Sequence, residues 1–141
     1  MELDGIFTGM TISASGLSAE RKRLDLIAKN IANAETVTAP GANPYRRQEP
    51  IFETILGQEG GIDGMVKVSD VAEDTTTPLR QIHDPSHPLA DKATGLVTYS
   101  NVNMAFEMVD MVTASRTYEA NMKAIATYRD MINQSLRILE A

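Results

Sequence analysis

The chain has 141 residues, a net charge of −6, three Phe, four Tyr, and neither Trp nor Cys. Its length suits a single domain, but few side chains are of the kind that bury the most area, so a large self-sufficient core is not expected. The missing cysteine excludes disulfides, thiolate metal sites and cysteine nucleophiles. The acid excess argues against nucleic acid as a partner, because phosphate binding wants a basic patch.

The chain opens with MELDGIFTGMTISASGL, which has acids where a secretory signal carries bases and Gly, Thr and Ser where it is apolar. No cleaved signal is therefore expected. No run of about 18 apolar residues occurs, so no membrane-spanning helix is expected. From Leu3, steps of four and three reach Phe7, Met10, Ala14, Leu17, Arg21, Leu24, Ala28 and Ile31, eight of the nine apolar. This predicts a helix across the first 35 residues, firmest over 17–34. Gly5, Gly9 and Gly16 weaken its first half, each by about 1 kcal/mol relative to Ala. Asn30 and Asn33 stand where Asn can end a helix.

Residues 36–100 read differently. All six prolines (Pro40, Pro44, Pro50, Pro78, Pro85, Pro88) lie here, which disfavours helix. Short strands are predicted at Met65–Ser69, Leu79–His83 and Leu96–Ser100, with turns at Gly60-Gly61 and Gly64. Residues 35–100 hold ten acids and five bases, so most of the net charge sits here. Arg46 and Arg47, after Tyr45, read either as a grip on an acidic partner or as an exposed loop. His83, Asp84, His87 and Asp91 include metal-ligating types. Pro85 and Pro88 break any helix that would align the two histidines, so a structural turn is the simpler reading.

Residues 101–141 carry the longest pattern. From Met104 the same steps reach Met108, Met111, Ser115, Tyr118, Met122, Ile125, Arg129, Ile132, Leu136 and Leu139, nine of the eleven apolar or Tyr. Asn101 or Asn103 can cap the start. The expected fold is mainly α: long N- and C-terminal helices packed as an antiparallel coiled-coil pair, with a small β-hairpin in an extended Pro/Gly-rich middle. Five of the eight Met fall between 104 and 131, suited to a helix that packs against several neighbours.

Several segments are similar to the axial rod proteins of the bacterial flagellum: SGLSAERKRLDLIAKNIANAET (15–36), NPYRRQEPIF (43–52), DPSHPLAD (84–91) and SNVNMAFEMVDMVTASRTYEANMKAIAT (100–127). The likeness covers residues 13–56 and 78–139. His83, Leu96 and Ser100 depart from the family's usual residues, all in the middle zone. The resemblance implies a non-enzymatic subunit of the proximal rod, the drive shaft that transmits torque across the periplasm. It also implies export through the flagellar type III apparatus without signal cleavage.

The partners implied are other copies of the chain, other proximal and distal rod proteins, and basal-body base proteins beside the export gate. No cofactor, metal, nucleic acid or small-molecule substrate is expected. Subunit contacts are assigned to Leu17, Leu24, Ile27 and Ile31 on the first helix, with Asn30, Asn33, Tyr45 and Arg46 near its end. On the second helix they are Met108, Met111, Tyr118, Met122, Ile125, Ile132 and Leu136, with Arg116, Glu119 and Asn121 fixing register. Both helices are expected to be largely disordered in the free monomer and to order on assembly, where burial offsets the ordering entropy. Two other classes compete: a coiled-coil scaffold or adaptor outside any flagellum, and a metal-dependent hydrolase using His83, His87 and Asp91.

Overall fold

A computed structural model describes residues 2–56 and 62–139. Helix α1 runs Glu2–Ala32 and helix α2 runs Met104–Leu139. Between them lie strands β1 (Val37–Thr38), β2 (Gln48–Leu56), β3 (Ile62–Glu73), β4 (Gln81–His83) and β5 (Leu96–Tyr99). The expectation of a mainly α chain with one small hairpin is overturned. The helices hold about half the chain, and two antiparallel sheets fill much of the rest. One is the two-stranded hairpin β2–β3; the other has the order β1-β5-β4.

The larger β content comes mainly from β2, which is not among the expected strands and contains Pro50. In a two-stranded sheet each strand has an unpaired edge, and Pro is tolerated there. Pro50 pairs opposite Val71, and the register shifts just beyond, between Ile51 and Phe52. The predicted strands at 65–69, 79–83 and 96–100 fall on or overlap β3, β4 and β5. The turn expected at Gly60-Gly61 lies outside the described residues. Gly64 is within β3, at a φ of 69°.

Both helices are uninterrupted by proline. The Asn103 side-chain oxygen accepts from the backbone N–H of Ala105 (3.0 Å) and Phe106 (3.4 Å), capping α2. Glu107 in the first turn and Arg137 in the last suit the helix dipole. At the other end of α1, the Asn33 side chain donates to the Lys29 carbonyl (2.8 Å) and closes the final turn.

Helix α1 lies in the middle of the molecule. The β2–β3 hairpin packs on one side of it and α2 on another, while α2 packs, among the described elements, on α1 alone. The helices are antiparallel and in heptad step: Gly9 faces Tyr128, Gly16 faces Asn121, and Asn30 bonds Glu107. The three-stranded sheet sits where both helices meet the middle zone. Its centre is the fully buried Val97, and Ser100, just after β5, donates to the Ala34 carbonyl (2.9 Å).

The turn before β5 requires glycine. Gly95 has a φ of 68°, and a Cβ there would sit 2.8 Å from the His83 ring. The DPSHP segment is a turn, in which the Asp84 carboxylate accepts from the backbone N–H (3.1 Å) and hydroxyl (2.6 Å) of Ser86. Those bonds hold the Asp84 carboxyl below its ordinary pKa, the hydroxyl contributing most. The Nδ1 of His87 accepts from the Leu89 N–H (3.1 Å). Among the described residues, no three His, Cys, Asp or Glu side chains converge on a position where a metal could be held.

Candidate assembly surface and the polar latch behind it

The inward row of α1 is offset by one residue from the one expected, and that of α2 keeps Met111, Tyr118, Ile125 and Ile132 while Glu107, Ala114, Asn121 and Tyr128 replace the neighbouring heptad positions. On α2, Glu107, Met111, Ala114, Tyr118, Asn121, Ile125, Tyr128 and Ile132 face inward, all buried or half-buried. On α1 the row is Gly9, Ser13, Gly16, Glu20, Arg23, Ile27 and Asn30, continued by Ala34 in the turn after the helix. The contact is therefore built largely from small and polar side chains. A Cβ on Gly9 would come within 2.6 Å of the Tyr128 hydroxyl oxygen, and one on Gly16 within 3.0 Å of the Asn121 amide. The sequence reading counted these glycines as weak points of a helix. In the structure they are where two helices approach closely.

The residues assigned to subunit contacts consequently divide. Ile27 and Asn30 are buried within the subunit. Leu17, Leu24 and Ile31 are half-buried beside the inward row of α1, and Met111, Tyr118, Asn121, Ile125 and Ile132 are half-buried within that of α2. Met108 and Met122, each 52% exposed, and Leu136 stay open, with Arg116 and Glu119 also exposed. Phe106, Val109 and Val112 add apolar surface to the first third of α2. Met and aromatic side chains on such an open face are common in interfaces.

Behind that surface the end of α1, the start of β2 and the start of α2 are joined by a buried polar cluster. Glu107 is 0% exposed. One of its oxygens bonds the Arg47 Nε, and the other accepts from the Asn30 side-chain N–H (3.1 Å). Asn30, 1% exposed, also donates to the Gln48 carbonyl (2.9 Å). The Asn30 side-chain oxygen accepts from the Gln48 N–H (2.9 Å) and the Tyr45 hydroxyl (2.8 Å). Burial, with the Glu107 charge nearby, holds the Tyr45 hydroxyl above its ordinary pKa and therefore protonated as a donor.

Arg47 reaches further, pairing with Glu49 and, at 3.2 Å, with Asp110. Arg23 approaches Asp110 from α1 at 3.8 Å. The Arg47 N–H donates to the Asn101 side chain (2.7 Å), which donates in turn to the carbonyls of Asp74 (2.9 Å) and Thr77 (3.3 Å). The Arg46 guanidinium also donates to the Asp74 carbonyl (3.2 Å). A buried charge is tolerated when it is paired and its hydrogen bonds are met, and Glu107 satisfies both conditions.

Arg47 thus grips acids within its own chain, and Arg46 a backbone carbonyl. Glu107, Asp110 and Asn101 were not singled out as site residues. Their signal was available only as polar residues at the start of a helix, which usually mark its solvated face. The separation of 60 residues between Arg47 and Glu107 leaves no local pattern to read.

The family profile described as "Flagella basal body rod protein" matches residues 10–39. A second, "Flagellar basal body rod FlgEFG protein C-terminal", matches residues 93–138. The flagellar basal-body rod protein FlgC of Borreliella burgdorferi is 38% identical, with 96% of this chain and 99% of that protein covered. That of Salmonella typhimurium is 39% identical, covering 90% and 92%. That of Agrobacterium fabrum is 36% identical, covering 99% of each. The two profiles fall on the two helices, and the likeness to whole relatives runs through the β zone between them. The chain belongs to the FlgC family of flagellar basal-body rod proteins.

Proposed function

We propose that this chain is a structural subunit of the flagellar basal-body rod, built into the proximal rod through the open apolar edge of its helix pair. The observation that carries the reading is whole-length likeness to rod proteins together with exposed Met108, Met122 and Leu136 on a helix that has one packing neighbour. A long helix packed on one side only leaves a face that a further helix can cover. Other copies of the chain and other rod proteins are the partners this face suits. The half-buried Leu17, Leu24, Ile31, Met111, Tyr118, Ile125 and Ile132 border it, and Arg116 and Glu119 supply charges that fix register.

Family membership as a structural rod protein supports a mechanical rather than a catalytic role. Torque is carried by the summed packing of many helices, with the latch around Glu107 holding each subunit's helices at a fixed angle to its β zone. The absence of cysteine suits passage through an export channel as an unfolded chain, since no disulfide loop has to thread. The three units 1–35, 36–100 and 101–141 then act as inner helix, outer β-rich part and inner helix.

The test is deletion of the gene in its native host, with complementation by Met122→Glu and Arg116→Glu variants. Deletion should abolish motility and leave basal bodies without a complete rod. Met122→Glu should fail to restore motility while the purified variant keeps wild-type stability, because both sites are exposed and such substitutions change stability by about 0.5 kcal/mol or less. Motility after deletion would refute the rod role. Full rescue by both variants would refute this face as the contact.

A further inference from the structure

The strands of the β2–β3 hairpin have the composition of segments that pair readily. QEPIFETIL and IDGMVKVSDVAE are rich in β-branched and aromatic residues, and Ile51, Phe52 and Val71 are each at least 40% exposed. A two-stranded sheet has two free edges, where a further chain can add a strand. The three-stranded sheet avoids this by brevity, since its edge strands β1 and β4 have two and three residues. The hairpin strands have nine and twelve.

On the hairpin the edge groups are occupied one by one. In an antiparallel pair, alternate residues turn their N–H and C=O away from the partner strand. On β2, Gln48 and Pro50 are two such residues. The Gln48 N–H donates to the Asn30 side-chain oxygen (2.9 Å), and its carbonyl accepts from the Asn30 amide (2.9 Å). One carboxamide thus fills both positions that a neighbouring strand would use. Pro50 has no N–H to offer. On β3, Val71 lies opposite Pro50, and its N–H donates to the Asp70 carboxylate (2.8 Å). The Val66 N–H donates to the Ser15 hydroxyl oxygen (3.1 Å). Between them Ser69 is the extra residue of a bulge, because Ile51 pairs with Asp70 and Phe52 with Val68. Its hydroxyl donates to the Ile51 carbonyl (3.2 Å). A bulge twists a strand and interrupts regular pairing along it.

We infer that Ser15, Asn30, Pro50 and Asp70 close the hairpin edges against strand addition by a second copy of this chain. They lie on α1, β2 and β3, and each removes or occupies a main-chain group that faces away from the hairpin. Copies are left to meet through side-chain surfaces, which are selective. Main-chain edges accept any β-prone strand and lead to open-ended aggregation. Asn30 closes β2 while also bonding Glu107, so one side chain both fixes the start of α2 and blocks an edge. Pro50 is the critical position on β2, since any other residue there would place a donor on the outer edge, next along from Phe52.

The test compares the purified full-length chain with its Pro50→Val, Asp70→Ala double variant. Intermolecular β-sheet is read by its infrared amide band over a concentration series, with sedimentation alongside. The double variant should show that band at a concentration at least about tenfold below wild type, since each restored hydrogen bond strengthens pairing several-fold. Onset within about threefold of wild type overturns the inference. A Glu53→Val, Lys67→Val variant adds β-prone apolar side chains and leaves the edge bonds intact. An equal shift in that variant also overturns the inference, because apolar surface alone would then drive association. Circular dichroism checks that each variant is folded. If the double variant unfolds, Pro50→Val alone decides, with a shift of about fivefold expected and an onset equal to wild type overturning the inference. The outcome is independent of the rod assignment, because copies joined through helices do not give that band.

Discussion

The two ends of the helix pair are held by opposite means. At the end next to the sheets, Glu107, Asn30, Arg47 and Asn101 form a dense set of hydrogen bonds, nearly all out of contact with water. At the far end, Tyr128 and Asn121 rest on Gly9 and Gly16, and apolar side chains such as Met131 and Ile138 face outward. A paired buried charge specifies one geometry but tolerates little change. A shallow contact through glycine allows close approach while contributing little burial. The first end suits a fixed frame, and the second suits a surface completed by a neighbour.

The sharpest way to break this comparison is Glu107→Ala. Removing one member of a buried ion pair strands the other, and Arg47 keeps Glu49 and Asp110 as partial compensation. The expected cost is about 2–4 kcal/mol, read by chemical denaturation, against about 0.5 kcal/mol or less for Met122→Ala. Equal costs would erase the distinction between the two ends.

The glycines give a finer contrast. Gly5 has open space around its Cβ position, whereas Gly9 lies under Tyr128. Gly5→Ala should gain close to the propensity difference of about 1 kcal/mol locally, seen as increased helical circular dichroism. Gly9→Ala should gain clearly less, because the tyrosine ring must move. Equal gains would show that the close approach carries no energy.

The smallest effect concerns the loop that closes the latch. The Asp74 carboxylate accepts from the hydroxyl (2.5 Å) and N–H (3.0 Å) of Thr77, and from the hydroxyl (2.7 Å) and N–H (2.9 Å) of Thr76. The Thr77 hydroxyl contributes most to holding its pKa below the ordinary carboxylate value. The sign follows: these bonds contribute fully above the unfolded value of about 3.9 and are lost as pH falls below it toward the folded value. Protection of Thr76 and Thr77 relative to their intrinsic exchange rates should therefore decline on acidification below about pH 4, and Asp74→Asn should flatten that dependence. An unchanged profile in the variant would assign the acid response elsewhere.

How much of this was legible follows from where each signal lies. Local chemistry was readable: Asn103 as a cap, Asn33 as a terminator, Asp84 to His87 as a turn, and the strands at 65–69 and 96–100. Strand β2 was hidden because Pro50 counts against a strand unless it is known to have a free edge. The latch was hidden because Glu107 in a first helical turn looks like an ordinary solvated acid. Met108 and Met122 belong to the apolar heptad of the sequence, but at those two levels the inner seam passes one residue away, through Glu107 and Asn121.

By itself the sequence determined that both ends are long helices with apolar heptads, that the proline-bearing middle is not helical, and that the chain is similar to rod proteins. Periodicity, prolines and motifs are local, so they survive without coordinates. Only the tertiary structure decided which of two adjacent stripes on each helix is spent inside the subunit. That choice depends on how closely two backbones can approach, and glycine permits it at positions 9 and 16. The tertiary structure also decided that Arg47 finds its acids within its own chain, since burial of Glu107 is made affordable by partners 60 and 77 residues away.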